Sequence, residues 1–251
     1  SEARSITASL RAPLEPRKTA VAAEPVGDDV FSVYRAMFDY ERRPLDASID
    51  ESVKGRHWTR YRVTYSSHRE GERLALYLYM PDAPSASYQA IVFWPNIVPL
   101  FSTSIDPQAL QLDFLLKNGR AVAFPVLAGT QERRKSSFPD WSSIAGRDLV
   151  IQAVKDMRRS IDYLQSRADI NDEAIAFYGY SWGGRLGAIA LAIEDQRFKA
   201  GILNQAGLQH LAIPETSVLN YLPRVSTPVL QFNGRYDTDF DFETSARPFF
   251  E

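Results

Sequence analysis

A serine between two glycines is the residue of this chain best suited to covalent chemistry. Ser181 lies in Gly-Tyr-Ser-Trp-Gly, residues 179–183, after the apolar run 174–178 and before the small apolar run 185–193. These runs predict a strand and a buried helix. Glycines without a Cβ let a strand and a helix pass close together at a strained turn. The pattern predicts a serine nucleophile at the carboxyl end of a sheet, beside the positive end of a helix. A glycine-rich turn that only connects the two elements is the alternative.

The elements that must position Ser181 alternate between strands and helices. Apolar runs predict strands at 58–66, 73–80, 88–94, 121–126, 174–180, 198–203 and 228–234, and helices at 30–40, 107–118 and 147–167, with a last helix begun near Phe242. The first two strands predict an antiparallel hairpin. Alternation of the rest predicts an α/β fold with a mostly parallel central sheet and helices on both faces. We expect one domain over 30–251, preceded by a linker or amino-terminal arm over 1–29.

Composition and charge exclude several other classes of protein. The chain has 251 residues, a net charge of -2 and no cysteine. Without cysteine there are no disulfides, thiolate nucleophiles or cysteine-based zinc sites. The balanced charge gives no reason to expect nucleic acid or an anionic membrane surface as partner. No run approaches the roughly 18 apolar residues of a membrane helix. We expect a cytoplasmic protein without metal or organic cofactor that acts on a small molecule; its oligomeric state is left open.

A serine hydroxyl needs a base, usually histidine, and an acid that orients the base. Asp237 is our choice of acid because it lies three residues past Gly234, which ends the 228–234 strand. Asp239 and Asp241 are alternatives for the acid. The non-catalytic interpretation of this segment is a solvated acidic turn. The oxyanion of an acyl-transfer intermediate needs two N–H donors. We expect one from Trp182 and the other from Ile97 or, next, Asn96; a loop without a donor role is the alternative.

Several motifs together resemble the α/β-hydrolase modules at the carboxyl end of some bacterial serine/threonine protein kinases. The motifs are His57-Trp58, residues 71–73, 147–152, 159–164, Tyr180-Ser181-Trp182-Gly183 and 233–237. Such modules are similar to dienelactone hydrolase, acetyl xylan esterase and prolyl-oligopeptidase catalytic domains. The resemblance implies an α/β-hydrolase fold, Ser181 as nucleophile, Asp237 as acid and a final histidine. The sequence departs from these modules in not showing that histidine and in having Pro95-Asn96-Ile97 where they tend to have Pro-Gly. It contains no kinase motif.

The base is the member of the site that the sequence does not supply in the expected position. α/β-Hydrolases present nucleophile, acid and histidine in that order, so the histidine is expected beyond Glu251, after a carboxyl-terminal strand that is also expected to be missing. His57 and His68 flank the first predicted strand and are expected to be structural or at the surface. His210 follows the 198–203 strand, where it can line a pocket or substitute as base, or be a surface residue. We expect a carboxyl-terminally incomplete domain or an impaired relative.

The predicted function is hydrolysis of carboxylic esters through an acyl-enzyme on Ser181. Bulky side chains at Trp94, Phe138, Trp141 and Trp182 suggest a short acyl group, although each also suits core packing. The alternative is a binding or regulatory module that keeps the fold without efficient turnover. A peptidase is a third interpretation, and it usually requires an additional gating domain.

Overall fold

A single sheet of eight strands organises the part of the chain that the structure describes, residues 24–102, 112–135, 140–209 and 213–251 of a computed structural model. Its strands are β1 Ser48–Lys54, β2 Trp58–Ser66, β3 Arg73–Pro81, β4 Tyr88–Trp94, β5 Ala121–Pro125, β6 Ile170–Tyr180, β7 Ala200–Asn204 and β8 Val229–Phe232. The α-helices are α1 Asp28–Ala36, α2 Asp113–Lys117, α3 Ile144–Gln165, α4 Trp182–Ile193 and α5 Arg247–Phe250. A π-helical turn, Phe242–Ala246, leads directly into α5.

The strand order β1-β2-β3-β5-β4-β6-β7-β8 combines an antiparallel and a parallel half. Strands β1, β2, β3 and β5 pair antiparallel, in that order. Strands β5, β4, β6, β7 and β8 run parallel to one another. The predicted mostly parallel sheet and its antiparallel hairpin are therefore confirmed. Because the carboxyl ends of parallel strands meet at one edge, the segments after β4, β6, β7 and β8 come together there.

Helices cover both faces of the sheet, as predicted. The long helix α3 and the following α4 pack on one face, where Phe177 and Ile189 are fully buried. The short helix α2 packs on the other face, where Leu115 and Leu116 meet Phe124. Burying each large apolar side chain contributes about 1.5–3 kcal/mol. Within the described ranges, no helix combines the length and apolar character that a bilayer span requires.

Some element boundaries differ from the predicted ones. Helix α3 begins three residues earlier than predicted because Ser143 Oγ accepts a hydrogen bond from the Gly146 N–H, 3.1 Å away, and caps the helix. The predicted 107–118 helix is described only from residue 112, and α2 covers its last turn. Gly119 follows with φ of +75°, a left-handed conformation that glycine commonly adopts just after a helix end. Residues 1–23 of the predicted arm lie outside the described residues. The Val26 backbone already bonds to Asn220 and Arg224 of the domain.

A buried ion network joins α3 to the antiparallel half of the sheet. Asp156 on α3 is almost fully buried and accepts a hydrogen bond from Arg133, which also contacts Glu72 at 2.7 Å. His68 Nδ1 lies 3.6 Å from Asp156 Oδ1, and its other ring nitrogen contacts Gln152. Burial raises the pKa of the Asp156 carboxyl to about 6, against the opposing effect of Arg133. Burial also lowers the pKa of His68. The network is therefore sensitive to mildly acidic pH.

We expect the Asp156→Asn variant to lose a component of the pH dependence of stability. In the unfolded chain the carboxyl ionises near its ordinary pKa of 3.8, whereas in the folded chain it keeps its proton up to about pH 6. The folded state therefore binds more protons in this window, so this group's contribution to stability falls as pH rises from 3.8 to about 6. Urea unfolding of both proteins from pH 4 to 7 measures the effect. The free energy of unfolding of the variant, relative to that of the wild type, should rise between pH 3.8 and about 6. If the unfolding free energies of the two proteins depend on pH in the same way, Asp156 does not have the raised pKa.

Candidate active site

Ser181 occupies a strained turn between β6 and α4. Its backbone has φ of 54° and ψ of -107°, a conformation that non-glycine residues rarely adopt. Strain of this kind costs about 1–3 kcal/mol and persists only where the surroundings enforce it. Here the Ser181 N–H donates to the Asn204 carbonyl at the end of β7, 2.8 Å away. The turn thus raises the serine at the carboxyl edge of the sheet, next to the first turn of α4.

Close backbone contacts explain the glycines around Ser181. A Cβ added to Gly179 would lie 2.3 Å from the carbonyl oxygen of Gly183, and one on Gly183 would lie 2.1 Å from that of Trp94. A Cβ on Gly184 would lie 2.6 Å from the Asn204 carbonyl oxygen. The Gly183 N–H donates to the Pro95 carbonyl at 3.0 Å. Helix α4 therefore rests on the ends of β4, β6 and β7 with no room for a side chain.

We expect Gly183→Ala to destabilise the protein strongly. The new methyl group would collide with the backbone of Trp94 and Pro95, which cannot move as a flexible side chain would, so the loss should be about 3 kcal/mol or more. Urea unfolding followed by tryptophan fluorescence measures it. The matched control is Gly234→Ala, where the nearest atoms lie 3.9 Å from the added Cβ and the expected change is under about 1 kcal/mol. Equal losses in both variants would refute the argument.

The predicted oxyanion donors lie on the two elements that meet at Gly183. Trp182 is the first residue of α4, where helix N–H groups lack intrahelical acceptors. Ile97 precedes a short 3₁₀ turn, Val98–Leu100, and is partly exposed. Asn96 uses its side-chain oxygen to accept from the Val98 N–H at 3.0 Å, which orders this turn. The Pro95–Gly183 hydrogen bond brings the turn against α4, so both candidate N–H groups belong to adjoining segments.

Among the three candidate acids, Asp237 and Asp241 have different surroundings. Asp237 Oδ1 accepts hydrogen bonds from the backbone N–H groups of Asp239 and Phe240, at 2.8 and 3.0 Å. Its second oxygen, Oδ2, lies 3.4 Å from Gln205 Nε2. Asp241 instead caps the following π-helical turn through Glu243 N and Thr244 N. Asp241 thus has a structural role, whereas Asp237 presents one oxygen towards the end of β7.

A cleft of about 580 Å³ opens at the carboxyl ends of β6, β7 and β8, next to Tyr180, the residue before Ser181. It is lined by Tyr178, Tyr180, Asn204, Gln205, Phe232, Asn233 and Gly234. The lining combines aromatic rings with amide groups and lies between the serine turn and the loop that carries Asp237. The cleft offers room for a small polar substrate. Gln205 was not predicted, because a contact across 32 residues has no signal in local sequence.

Neither described histidine lies at this site. His57 bonds to Asp113 of α2 and His68 bonds to Gln152 of α3. Both flank β2, which lies four strand positions from β6, or about 19 Å at 4.8 Å per strand. That distance excludes direct proton transfer with Ser181. His210, the possible pocket residue or substitute base, lies outside the described residues.

The predicted pocket aromatics form a packed group behind the site. Trp182 stacks edge-on against Trp94, with ring centres 5.5 Å apart, and contacts Trp141 at 5.9 Å. Trp94 and Trp182 are buried, so both contribute to the core. Phe138 lies outside the described residues. The packed rings limit space next to the first turn of α4, which agrees with the alternative of core packing and leaves the short-acyl prediction untested.

A buried cation lies one helical turn after Ser181 and was not predicted. Arg185 is 3% exposed, and its Nη1 has no hydrogen-bond partner in the part of the chain that the structure describes. No carboxylate among the described residues forms an ion pair with it, and burial lowers its pKa to about 10. The partial positive charge at the amino-terminal end of α4 disfavours a cation at this position.

Comparisons with known proteins agree with this architecture. Residues 112–250 match the sequence model described as alpha/beta hydrolase fold. Acetyl xylan esterase 1 from Thermoanaerobacterium is similar in structure, with a TM-score of 0.69 and 14% identity over 92% of this chain and 85% of that one. A putative dienelactone hydrolase from Klebsiella pneumoniae has a TM-score of 0.59 and 16% identity over 74% and 77%. At such identities the likeness shows the fold alone. No curated protein sequence matches the chain.

Proposed function

The chain belongs to the alpha/beta hydrolase fold family, and from that premise we propose that it is a serine esterase acting on short-chain carboxylic esters. The observation that carries the proposal is the strained Ser181 turn, held at the carboxyl edge of the parallel sheet. Asp237 faces the same edge from the loop after β8. Similarity to solved structures named as esterases, including an acetyl xylan esterase, supports an ester substrate.

The proposed reaction has two steps. Ser181 Oγ attacks the ester carbonyl carbon while a histidine takes the hydroxyl proton, and the carbonyl electron pair moves to the oxygen. The N–H groups of Trp182 and Ile97 hold this oxyanion. The carbonyl then re-forms, the C–O bond to the alcohol breaks, and the alcohol leaves with the proton from the histidine. In the second step the same histidine takes a proton from water, and the water oxygen attacks the acyl carbon. The bond between that carbon and Ser181 Oγ then breaks, the histidine returns the proton to Oγ, and the acid leaves. Asp237 orients the histidine and stabilises its cationic form.

In this proposal the histidine comes from outside the described residues. Two sources are distinguishable: His210 in the segment after β7, and any natural residues that follow Glu251. In the fold family the nucleophile, the acid and the histidine follow one another in that order along the chain. His210 would reverse that order. The kinase-associated context implied by the sequence resemblance stays a prediction, as does the cytoplasmic location.

A binding or regulatory module is the second candidate function. The observation that favours it is that neither described histidine reaches Ser181. Such a module would keep the serine turn and the cleft but would turn over esters only at the residual rate that oxyanion donors and binding provide.

Hydrolysis of p-nitrophenyl acetate tests the proposal. The 251-residue chain and a form that includes any natural residues after Glu251 are each assayed, together with labelling by an active-serine phosphonate. Turnover and labelling in either form support the esterase. If only the longer form reacts, the base lies after Glu251; if the shorter form reacts and His210→Ala stops it, His210 is the base. Failure of both forms to turn over or to be labelled would favour the binding module.

A further inference from the structure

The segment between Ser181 and Asp237 contains a second strained residue, Gln205. It follows the last residue of β7 and has φ of 54°, in the left-handed region that favours glycine. Glycine would remove this strain, so the presence of glutamine calls for a contribution from its side chain. Gln205 is half-buried and lines the cleft beside the serine turn.

Backbone hydrogen bonds fix Gln205 between the nucleophile and the acid. The Asn204 carbonyl accepts the Ser181 N–H at 2.8 Å, so the residue before Gln205 holds the serine turn. The Gln205 N–H donates to the Phe232 carbonyl at 2.7 Å, at the end of β8. Asn204 is itself held through its side-chain amide, which lies 3.2 Å from the Tyr178 hydroxyl. The pair 204–205 therefore joins the two strands that carry Ser181 and Asp237.

The side chain of Gln205 meets the one carboxylate oxygen that the acid loop leaves open. Asp237 Oδ1 is held by two N–H groups of its own loop. Asp237 Oδ2 faces Gln205 Nε2 at 3.4 Å. A carboxylate oxygen has two lone pairs, so Oδ2 can accept from this amide and from an imidazole N–H at once. With both oxygens anchored from different sides, the plane of the carboxylate is set.

We propose that Gln205 is a positioning residue that orients Asp237 Oδ2 towards the catalytic base. This inference rests on the proposed esterase function and assigns a role that acts through Asp237 rather than on the substrate. One backbone turn makes both contacts: the Asn204 carbonyl accepts the Ser181 N–H, and the Gln205 side-chain amide points to Asp237. The strain at Gln205 is retained because this turn is needed for both. The contacts of Gln205 thus link the ends of β6, β7 and β8, and through Asp237 they set the orientation of the base.

Steady-state kinetics of Gln205→Met, in the form that hydrolyses p-nitrophenyl acetate, tests the role. Methionine keeps the length of the side chain but removes the amide donor. Loss of one modest hydrogen bond predicts a fall in kcat of about three- to tenfold, with KM within about twofold. Gln196→Met is the matched control, because Gln196 is exposed and precedes β7 at the opposite end of that strand. It should change neither constant. An unchanged kcat in Gln205→Met would overturn the proposal.

Two further variants separate positioning from a general structural effect. Gln205→Glu places a second carboxylate beside Asp237, which should raise the pKa of the base and move the acid limb of kcat/KM to higher pH. In an Asp237→Asn background, Gln205→Met should no longer lower kcat, because its effect passes through Asp237. An acid limb that stays in place, or an equal loss in both backgrounds, would overturn the positioning role.

A measurement without turnover distinguishes this proposal from the function on which it rests. The side-chain amide resonances of Gln205 are recorded by NMR in the wild type, in Asp237→Asn and in the control Asp172→Asn. A shift in Asp237→Asn alone supports the contact, whereas no shift overturns it even if the protein hydrolyses esters. A shift in a protein that is inactive in every form would confirm the contact and overturn the esterase, and with it the catalytic role of Gln205.

Discussion

Replacing Ser181 with alanine should abolish ester hydrolysis while leaving the protein folded. Without the nucleophile no acyl-enzyme forms, and loss of a triad serine lowers kcat on the order of 10⁵- to 10⁶-fold. The measurement is p-nitrophenyl acetate turnover by the active form, with phosphonate labelling followed by mass spectrometry. Labelling should disappear together with turnover. Activity within about tenfold of wild type would refute Ser181 as nucleophile.

Ser181→Gly provides a matched variant that separates chemistry from backbone strain. Both substitutions remove the hydroxyl, so both should be inactive. Alanine retains the strain of a φ of 54°, whereas glycine adopts that conformation freely. We therefore expect Ser181→Gly to be more stable than Ser181→Ala by about 1 kcal/mol in urea unfolding. A glycine variant less stable than the alanine variant would show that the turn stores no strain.

Replacing Asp237 with asparagine should produce the second-largest loss of activity. Asparagine keeps the size of the side chain but cannot stabilise a cationic histidine or hold its productive tautomer, so kcat should fall on the order of 10⁴-fold. Its Oδ1 can still accept from Asp239 N and Phe240 N, so the loop should keep its shape. Kinetics and circular dichroism of the same preparation check the two expectations.

Asp239→Asn is the comparison that decides between the neighbouring carboxylates. Asp239 is exposed and contributes its backbone N–H, not its carboxylate, to the ordering of Asp237. We expect Asp239→Asn to stay within about threefold of wild-type kcat, as surface substitutions usually do. If Asp239→Asn is the more damaging of the two, the acid has been assigned to the wrong residue.

The elements with continuous apolar runs were predictable from sequence, and β1 was not. Strands β4 and β5 are almost entirely buried between helices, which gives them apolar runs that local pattern detects. Strand β6 is buried at alternate residues in its second half, where the apolar run predicted it. Strand β1 is an edge strand whose residues are nearly all exposed, so it has no apolar alternation to detect. Its pairing with β2 depends on backbone hydrogen bonds, which any sequence without proline supplies.

The candidate site was predictable where its chemistry is local and not where it depends on tertiary contacts. Ser181 and its glycines form a contiguous motif, so residue types and spacing were sufficient. The spacing from Gly234 favours Asp237 as acid, but Asp239 and Asp241 are alternatives in sequence because all three lie in one acidic loop. The cap formed by Asp241 appears only in the structure. The contact of Gln205 with Asp237 and the burial of Arg185 depend on segments that are distant in sequence.

The proposed catalytic geometry is assembled largely by peptide groups, and this bears on how the protein can change over evolution. The contacts that join β4, β6, β7 and β8 at the site are Gly183 N to Pro95 O, Ser181 N to Asn204 O and Gln205 N to Phe232 O. Peptide groups survive most substitutions, so side chains that line the cleft, such as those of Tyr180 and Phe232, can mutate without disturbing the nucleophile. Directed evolution of substrate range should therefore find many tolerated changes in the cleft and few at residues 179, 183 and 184, where backbones touch.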